Sequence, residues 1–236
     1  MKKIYTLLAL TISFSMNAQV STVGTTASGN YSTAMGLSTT ASGSTSTAMG
    51  SYTKASGSRS TAMGYSTTAS DYGSLVIGQY NSSGSSVTNI ATSFNTENTA
   101  FVIGNGTAND SRSDALTVLF DGTTTIAGDL SINSDARLKA NIISLGSTLA
   151  KLLQIDGKSY TMKKDKNKKQ KIGVLAQDIE KVFPELVSES NGVKSVNYQG
   201  LVPVLINALK EQDTKLNKQQ AEIDELKAIV TKLITP

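Results

Sequence analysis

The sequence contains no cysteine, no histidine and no tryptophan, and aromatic residues make up only 6% of its 236 residues. Without cysteine the chain forms no disulfide and offers no thiolate. Without histidine it lacks the side chain that most often serves as a general base near neutral pH. Any catalysis must therefore use serine, threonine, tyrosine, lysine or carboxylate groups, and we expect no metal ion or other cofactor.

Charge is distributed unevenly along the chain. Residues 19–133 contain three Lys or Arg against six Asp or Glu, a net charge of −3, whereas residues 134–236 contain 17 against 12, a net charge of +5. The high isoelectric point therefore belongs to one half of the chain and does not by itself indicate nucleic-acid binding. We expect two regions of different character and no nucleic-acid partner.

The N-terminus has the pattern of a secretory signal. Lys2 and Lys3 precede an uncharged, mostly apolar run over residues 4–16, and small residues follow up to Ala18. The run is shorter than the ~20 residues that a membrane-spanning helix needs. We therefore expect a signal peptide in residues 1–18 and a mature chain, without a membrane span, that is secreted or lies at the cell surface.

Residues 24–80 repeat with a period of 14 residues. The motif Ser-Thr-Ala-Met-Gly occurs at residues 32–36, 46–50 and 60–64, and an apolar version, Ser-Leu-Val-Ile-Gly, follows in phase at 74–78. A disordered linker has no reason to keep a fixed period, whereas the stacked turns of a solenoid require one. The repeat therefore predicts a β-solenoid in residues 19–80.

The repeats, with their interleaved Ala-Ser-Gly triplets, resemble the head repeats of trimeric autotransporter adhesins. This resemblance implies a left-handed parallel β-roll, association into a homotrimer and an extracellular role. A solenoid surface rich in Ser and Thr can bind a host-surface glycan, a host-surface protein or nothing specific, and these residues do not choose among the three.

The period breaks after residue 80. The segment 99–104 is similar to the apolar version of the repeat, but Gly104 follows Gly78 by 26 residues rather than 28. From Ala115 onward, alternating apolar residues and an Asp-Gly turn signal at 121–122 predict short β-strands. We expect an irregular β-stalk in residues 81–133, so that the N-terminal half is mainly β.

The region after residue 133 predicts an α+β unit. A strand near Tyr160 and a second strand from Ile172 flank a lysine-rich tip, and a helix over residues 177–183 is closed by Pro184. The lysine-rich tip is interpreted as a solvated hairpin end. We expect this α+β unit to occupy residues 134–204.

The last predicted helix carries a heptad repeat. Its two core positions hold Leu209, Leu216, Ile223 and Val230, and Gln212, Gln219, Leu226 and Leu233. Apolar residues sustained at this spacing are typical of a coiled coil rather than of a simple amphipathic surface helix. We expect a coiled coil in residues 205–236, and the trimeric state comes from the resemblance of the head repeats.

Five motifs in one order carry a second resemblance. They are Ser-Asp-Ala-Arg-Leu-Lys at 134–139 followed by Asn-Ile at 141–142, then Tyr160, Ile-Gly-Val-Leu-Ala-Gln-Asp at 172–178, Phe-Pro-Glu-Leu-Val at 183–187 and Ser-Val-Asn-Tyr at 195–198. Together they resemble the intramolecular chaperone auto-processing domain at the end of phage endosialidases and tail spikes. The resemblance implies a domain that trimerises, templates the folding of the β-rich fibre upstream and then cleaves itself off.

In that family the cut falls directly before the motif serine, and a Ser–Lys dyad performs it. Carried onto this chain, the resemblance makes Ser134 the nucleophile, Lys139 the general base and Asn133–Ser134 the scissile bond. An active domain of this kind would be a single-turnover, self-cleaving serine endopeptidase. The alternative is a non-cleaving structural trimer in which residues 134–236 remain as a permanent trimerisation clamp.

The spacing of the dyad restricts its conformation. On a regular helix, five residues separate two side chains by ~140°, so Ser134 and Lys139 would not share a face. A working dyad therefore needs Ser134 at a cap or in extended backbone with Lys139 folded back, or one partner from a neighbouring subunit.

The residues also allow simpler interpretations. Ser134 is a good N-cap for a short helix or turn that runs to about Ile142, with Asp135 in its first turn. A break at the same place could also arise by cyclisation of the Asn133 side chain, which needs no serine.

Overall fold

A computed structural model of the chain describes residues 22–82, 84, 91–163, 165 and 167–235. The signal peptide expected in residues 1–18 lies outside these residues. The chain divides into two compact units, Met1–Asn133 and Ser134–Pro236, and each is described by itself.

The N-terminal unit is a β-solenoid of about four turns, as the repeat predicted. Each turn contributes one strand to each of two sheets. Within the described residues, the first sheet has the spatial order β1 (Thr22–Val23), β3 (Thr33–Leu37), β5 (Thr47–Ser51), β7 (Thr61–Tyr65), β9 (Leu75–Gln79), β10 (Thr99–Asn105), β11 (Asp114–Leu119) and β12 (Thr124–Ile126). The second sheet has the order β2 (Thr26–Ala27), β4 (Thr40–Ala41), β6 (Lys54–Ala55) and β8 (Thr68–Ala69).

Successive strands of the solenoid pair in parallel, one repeat apart. Ala34 pairs with Ala48, and Ala48 pairs with Ala62, so the 14-residue period of the sequence is one turn. Ala48 and Ala62 are fully buried, and Val76 and Val102 continue the same core on β9 and β10. The core between the two sheets is thin because most of its side chains are alanines, which allows the sheets to approach closely.

The larger apolar residues of the repeat lie on the other face of the first sheet, because neighbouring side chains of a strand alternate. This apolar row consists of Met35, Met49, Met63, Ile77 and Ile103, at matching positions of the strands from β3 to β10. Met49 is 38% exposed. The solenoid therefore presents a row of apolar side chains outside its own core.

The two sheets end differently. The second sheet stops at β8, where the side-chain amide of Asn81 accepts from the backbone N–H of Thr68 at 2.7 Å and donates to its carbonyl at 3.0 Å. The first sheet continues, because β9 pairs in parallel with β10 and aligns Gly78 with Gly104. The 26-residue interval is therefore one turn with an insertion, and β11 and β12 then add to the same sheet in antiparallel fashion.

The C-terminal unit is an α+β unit built around a long helix. Its helices are α1 (Leu149–Leu152), α2 (Ala176–Val182) and α3 (Leu201–Ile234), and its strands are β13 (Lys158–Tyr160), β14 (Lys171–Gly173), β15 (Val187–Ser190) and β16 (Val193–Val196). Single 3-10 turns occupy Ala136–Leu138, Pro184–Leu186 and Tyr198–Gly200. β13 and β14 form one antiparallel hairpin and β15 and β16 form another, which agrees with the strand, tip and strand pattern of the sequence.

A small core joins α2 to the start of α3. Ile179 and Phe183 pack against Val204, and apolar residues from the neighbouring strands surround them. Pro203 lies in the first turn of α3, where its missing N–H costs nothing.

Beyond this core, α3 extends with its apolar residues uncovered. Its only two buried residues within the described part are Val204 and Ala208, whereas Leu209, Leu216 and Ile223 are exposed. Among the described residues, no helix is both long enough and apolar enough to span a membrane.

Candidate functional site

The predicted dyad lies in an exposed segment at the start of the C-terminal unit. Residues 134–147 are all exposed, and the segment contains one 3-10 turn and otherwise irregular backbone. Several of its side chains are large and apolar; Leu138 is 71% exposed and Ile143 is 85% exposed. The segment therefore carries several large apolar side chains that its own chain does not cover.

Ser134 and Lys139 contact each other within one chain. The Nζ atom of Lys139 donates a hydrogen bond to Oγ of Ser134 over 2.7 Å. The 3-10 turn Ala136–Leu138 reverses the backbone between them, and Lys139 follows it in extended conformation with φ −117° and ψ 145°. The turn therefore brings together two side chains that a regular helix would hold apart.

Asp135 caps this turn, which corrects the expectation that Ser134 would be the N-cap. The carboxylate of Asp135 accepts from the backbone N–H of Arg137 at 2.9 Å, and the Arg137 guanidinium binds both of its oxygens. The hydrogen bonds from the Arg137 side chain, followed by that from its backbone, hold the pKa of Asp135 below its usual range. Because Asp135 caps the turn, the Ser134 hydroxyl is not needed as a cap and accepts the hydrogen bond from Lys139 instead.

The turn is also shorter than expected. It ends at Leu138 rather than near Ile142, because Lys139 adopts extended backbone. Asn141 then has a positive φ of 53°, which a continuing right-handed helix does not allow.

Tyr198 joins two of the other motifs. Its hydroxyl oxygen accepts from the backbone N–H of Val174 at 3.2 Å. A Cβ at Gly173 would lie 2.7 Å from the same oxygen, so a larger residue there would require the Tyr198 hydroxyl to shift. These contacts, like the Asp135–Arg137 pair, could not be predicted from motif order alone, because each depends on how the chain returns to itself.

A metal-binding cluster is not part of the described structure. Across residues 22–82, 91–163 and 167–235, no three of the Asp and Glu side chains come together as a set of metal ligands.

Comparisons with known families identify both parts of the chain. Residues 134–188 match the family model described as chaperone of endosialidase. Residues 27–53 and 55–81 match two copies of the YadA head domain repeat. The chain carries a chaperone-of-endosialidase domain behind YadA head repeats. Both resemblances inferred from the sequence are thus confirmed at the level of the domain family.

Phage proteins are among the similar curated sequences. The chain is 31% identical over 112 residues to the long tail fiber protein Gp37 of Salmonella phage S16, an alignment that covers 43% of this chain and 15% of that protein. It is 29% identical over 100 residues to the long tail fiber protein Gp37 of Escherichia phage AR1, covering 39% of this chain and 9% of that protein. The chain therefore spans only a small part of the length of these relatives.

Proposed function

We propose that this chain is a secreted, trimeric, fibre-like protein whose C-terminal unit templates assembly and then cleaves itself off between Asn133 and Ser134. The observation that carries the proposal is the 2.7 Å hydrogen bond between Lys139 Nζ and Ser134 Oγ. The family match of residues 134–188 and the two tail-fibre relatives support it.

In the cleavage step, Ser134 Oγ attacks the carbonyl carbon of Asn133. Lys139 Nζ, as a neutral amine, takes the hydroxyl proton and later gives it to the departing nitrogen. The peptide bond breaks, an ester joins Asn133 to Ser134 Oγ, and the amine of Ser134 becomes a new N-terminus. Water then hydrolyses the ester, so that Asn133 ends the released fibre and Oγ regains its proton.

Lysine acts as a general base only where its surroundings disfavour the ammonium form, and removal from water is the usual means. In the single chain, the segment that carries Lys139 is exposed. Its apolar side chains Leu138, Ile142 and Leu145 are those that association with other copies would bury. We therefore expect cleavage to follow trimerisation rather than precede it.

Two apolar surfaces that the single chain leaves exposed or half-buried support a homotrimer. One is the apolar row on the first sheet of the solenoid, and the other is the exposed heptad residues of α3. Each lies in a different unit, and each has a composition that is rare on the free surface of a soluble monomer. Burial in the trimer would stabilise the fibre and the chaperone unit independently.

The experiment compares the intact masses of residues 19–236 after expression of the wild type and of Ser134→Ala. We expect the wild type to yield two fragments, one ending at Asn133 and one beginning at Ser134, and Ser134→Ala to stay whole. Ser144→Ala is the matched control, since Ser144 lies in the same exposed segment without a lysine contact among the described residues, and it should be cleaved like the wild type.

Two further outcomes separate the alternatives. Lys139→Arg keeps the positive charge but cannot lose a proton, so it should assemble without being cut. An uncut wild-type trimer would contradict self-cleavage and favour the permanent clamp. Cleavage that persists in Ser134→Ala would contradict the Ser–Lys dyad and favour cyclisation of Asn133.

A further inference from the structure

A groove opens on the side of the solenoid, at turns that lead from the second sheet to the first. It has a volume of about 420 Å³ and is lined by three successive turns of the roll together with residues 92–94, which lie between β9 and β10. This volume lies within the range of sites for small organic ligands. The residues that line the groove lie in the turns between strands and in residues 92–94, so the groove is a different surface from the apolar row on the first sheet.

Arg59 supplies the charge of this groove. Its guanidinium lies over the ring of Tyr72, 5.2 Å from the ring centroid. Among the described residues, no carboxylate forms an ion pair with Arg59. A guanidinium that lies over an aromatic ring, with no carboxylate partner among the described residues, is suited to bind an anionic group.

The backbone at this position favours glycine, yet side chains are retained. Thr45 and Arg59, one turn apart, have φ values of 56° and 60°, and the equivalent residue of the next turn is Gly73 with φ 70°. A β-branched residue at positive φ is a strained outlier. The conformation belongs to the turn of each repeat, since Tyr31, one turn before Thr45, has a φ of 58°. It places Thr45 and Arg59 at equivalent positions of successive turns along the groove.

An aromatic side chain forms the opposite wall. Phe94 is 59% exposed and packs against Phe120 with 5.1 Å between ring centroids. Three residues before Phe94, the carbonyl of Ala91 accepts a hydrogen bond of 2.7 Å from the N–H of Ser58 on the roll. Residues 91–94 therefore contact the roll, and the ring of Phe94 leaves part of its surface open to solvent.

We propose that this groove binds an acidic saccharide, with Arg59 on the carboxylate or sulfate group, the open surface of Phe94 against the apolar face of a sugar ring, and the hydroxyls of Thr45, Ser58 and Ser93 on the sugar hydroxyls. The lining is mostly hydroxyls around one cation and one open aromatic ring, a composition that suits a charged sugar better than an apolar peptide. The inference rests on the proposed fibre function, because three grooves per trimer would convert weak single contacts into firm attachment.

Binding is tested by calorimetry on the purified chain with tetragalacturonic acid and a heparin tetrasaccharide as probes and a neutral galactose tetrasaccharide as control. We expect at least one acidic probe to bind and the neutral one not to bind detectably. The acidic probe that binds distinguishes carboxylate from sulfate. Arg59→Gln should weaken that binding at least about tenfold, and Phe94→Ala should weaken it about fivefold.

Lys54→Gln is the matched control, because Lys54 is an exposed cation on β6 of the same turn but does not line the groove. It should bind like the wild type, and melting curves should show that all three variants are folded. Equal binding by Arg59→Gln, equal binding of the neutral probe, or binding of no probe would overturn the proposal.

Sedimentation of the same samples separates this proposal from the fibre function. A trimeric sample that binds no probe contradicts only the groove. A monomeric, uncleaved sample contradicts the proposed function itself.

Discussion

Gly50 pairs with Gly64 of the neighbouring parallel strand and packs against its carbonyl group. A Cβ added to Gly50 would lie 2.1 Å from that carbonyl oxygen. Gly50 also has a φ of 119°, a conformation that side-chain-bearing residues rarely adopt. The same relationship recurs between Gly36 and Gly50. The regular spacing of glycine in the repeat is thus a consequence of the distance between stacked turns.

We predict that Gly50→Ala destabilises the solenoid by about 3 kcal/mol, because it adds both backbone strain and a clash that no side-chain movement relieves. Gly122→Ala is the matched control. Gly122 also has a positive φ, of 88°, but has nothing within 4 Å of its added Cβ, so it should cost only about 1 kcal/mol. Urea unfolding measures both variants, and equal losses would contradict the steric explanation.

The side-chain amide of Asn81 caps the edge of the second sheet, because it forms hydrogen bonds with both the N–H and the carbonyl of Thr68 on β8. We predict that Asn81→Ala costs about 2 kcal/mol, because it leaves a donor and an acceptor without partners at a sheet edge. It should also increase aggregation, since open edges pair with other chains.

Light scattering during thermal unfolding measures that aggregation. Asn95→Ala is the control, because the side chain of Asn95 accepts only a local hydrogen bond from Glu97. If both variants aggregate alike, Asn81 does not protect the edge.

Glu211 makes the contact between α1 and α3 dependent on pH. Its carboxylate accepts from the backbone N–H and the hydroxyl of Thr148 and from the N–H of Leu149. The backbone hydrogen bond from Thr148, the largest cause, lowers the pKa of Glu211. The contact therefore stabilises the fold above the usual glutamate pKa of about 4.3, and its contribution is lost as the pH falls through the lower folded value.

We predict that amide exchange at Leu149 accelerates below about pH 4 relative to the intrinsic rate. Glu211→Gln cannot titrate and should show a flat relative rate over the same range. Glu222→Gln is the control, because Glu222 forms only a long surface ion pair of 3.9 Å with Lys218, and it should follow the wild type. The same acid acceleration in Glu211→Gln would rule Glu211 out as the cause.

The periodic features of this fold could be predicted because they repeat. A solenoid turn must match its neighbours, so the phase shared by Ala48 and Ala62 was sufficient to predict parallel stacking. The termination at Asn81 could not be predicted, since it depends on which turn is last. The secondary-structure propensity of the residues around Asn81 is that of a polar loop, and it does not indicate that one side chain there will pair with the edge of a sheet.

For the Ser134–Lys139 dyad, too, one feature could be predicted from the sequence and another could not. Helix geometry requires that Ser134 and Lys139 avoid a regular helix if they are to meet, and in the structure they are joined across a 3-10 turn. It did not predict that Asp135 would be the cap, because serine and aspartate are about equally good caps. The choice is made by side-chain contacts, since Arg137 binds Asp135 and Lys139 binds Ser134.

The last prediction concerns the order of assembly and cleavage. Ile223 lies at a core position of the heptad repeat and is exposed in the single chain. Ile223→Asp would place three carboxylates at the axis of a trimer, where burial of like charges is strongly unfavourable. We therefore expect this variant to remain monomeric and uncleaved, although Ser134 and Lys139 are unchanged.

Ala221→Asp is the matched control for that experiment. Ala221 lies on the outer side of the same heptad, so the substitution adds the same charge without entering the axis. It should form trimers and be cleaved like the wild type. Sedimentation velocity and intact mass measure both variants, and a monomeric Ile223→Asp that is still cut at Asn133–Ser134 would show that the dyad works without assembly.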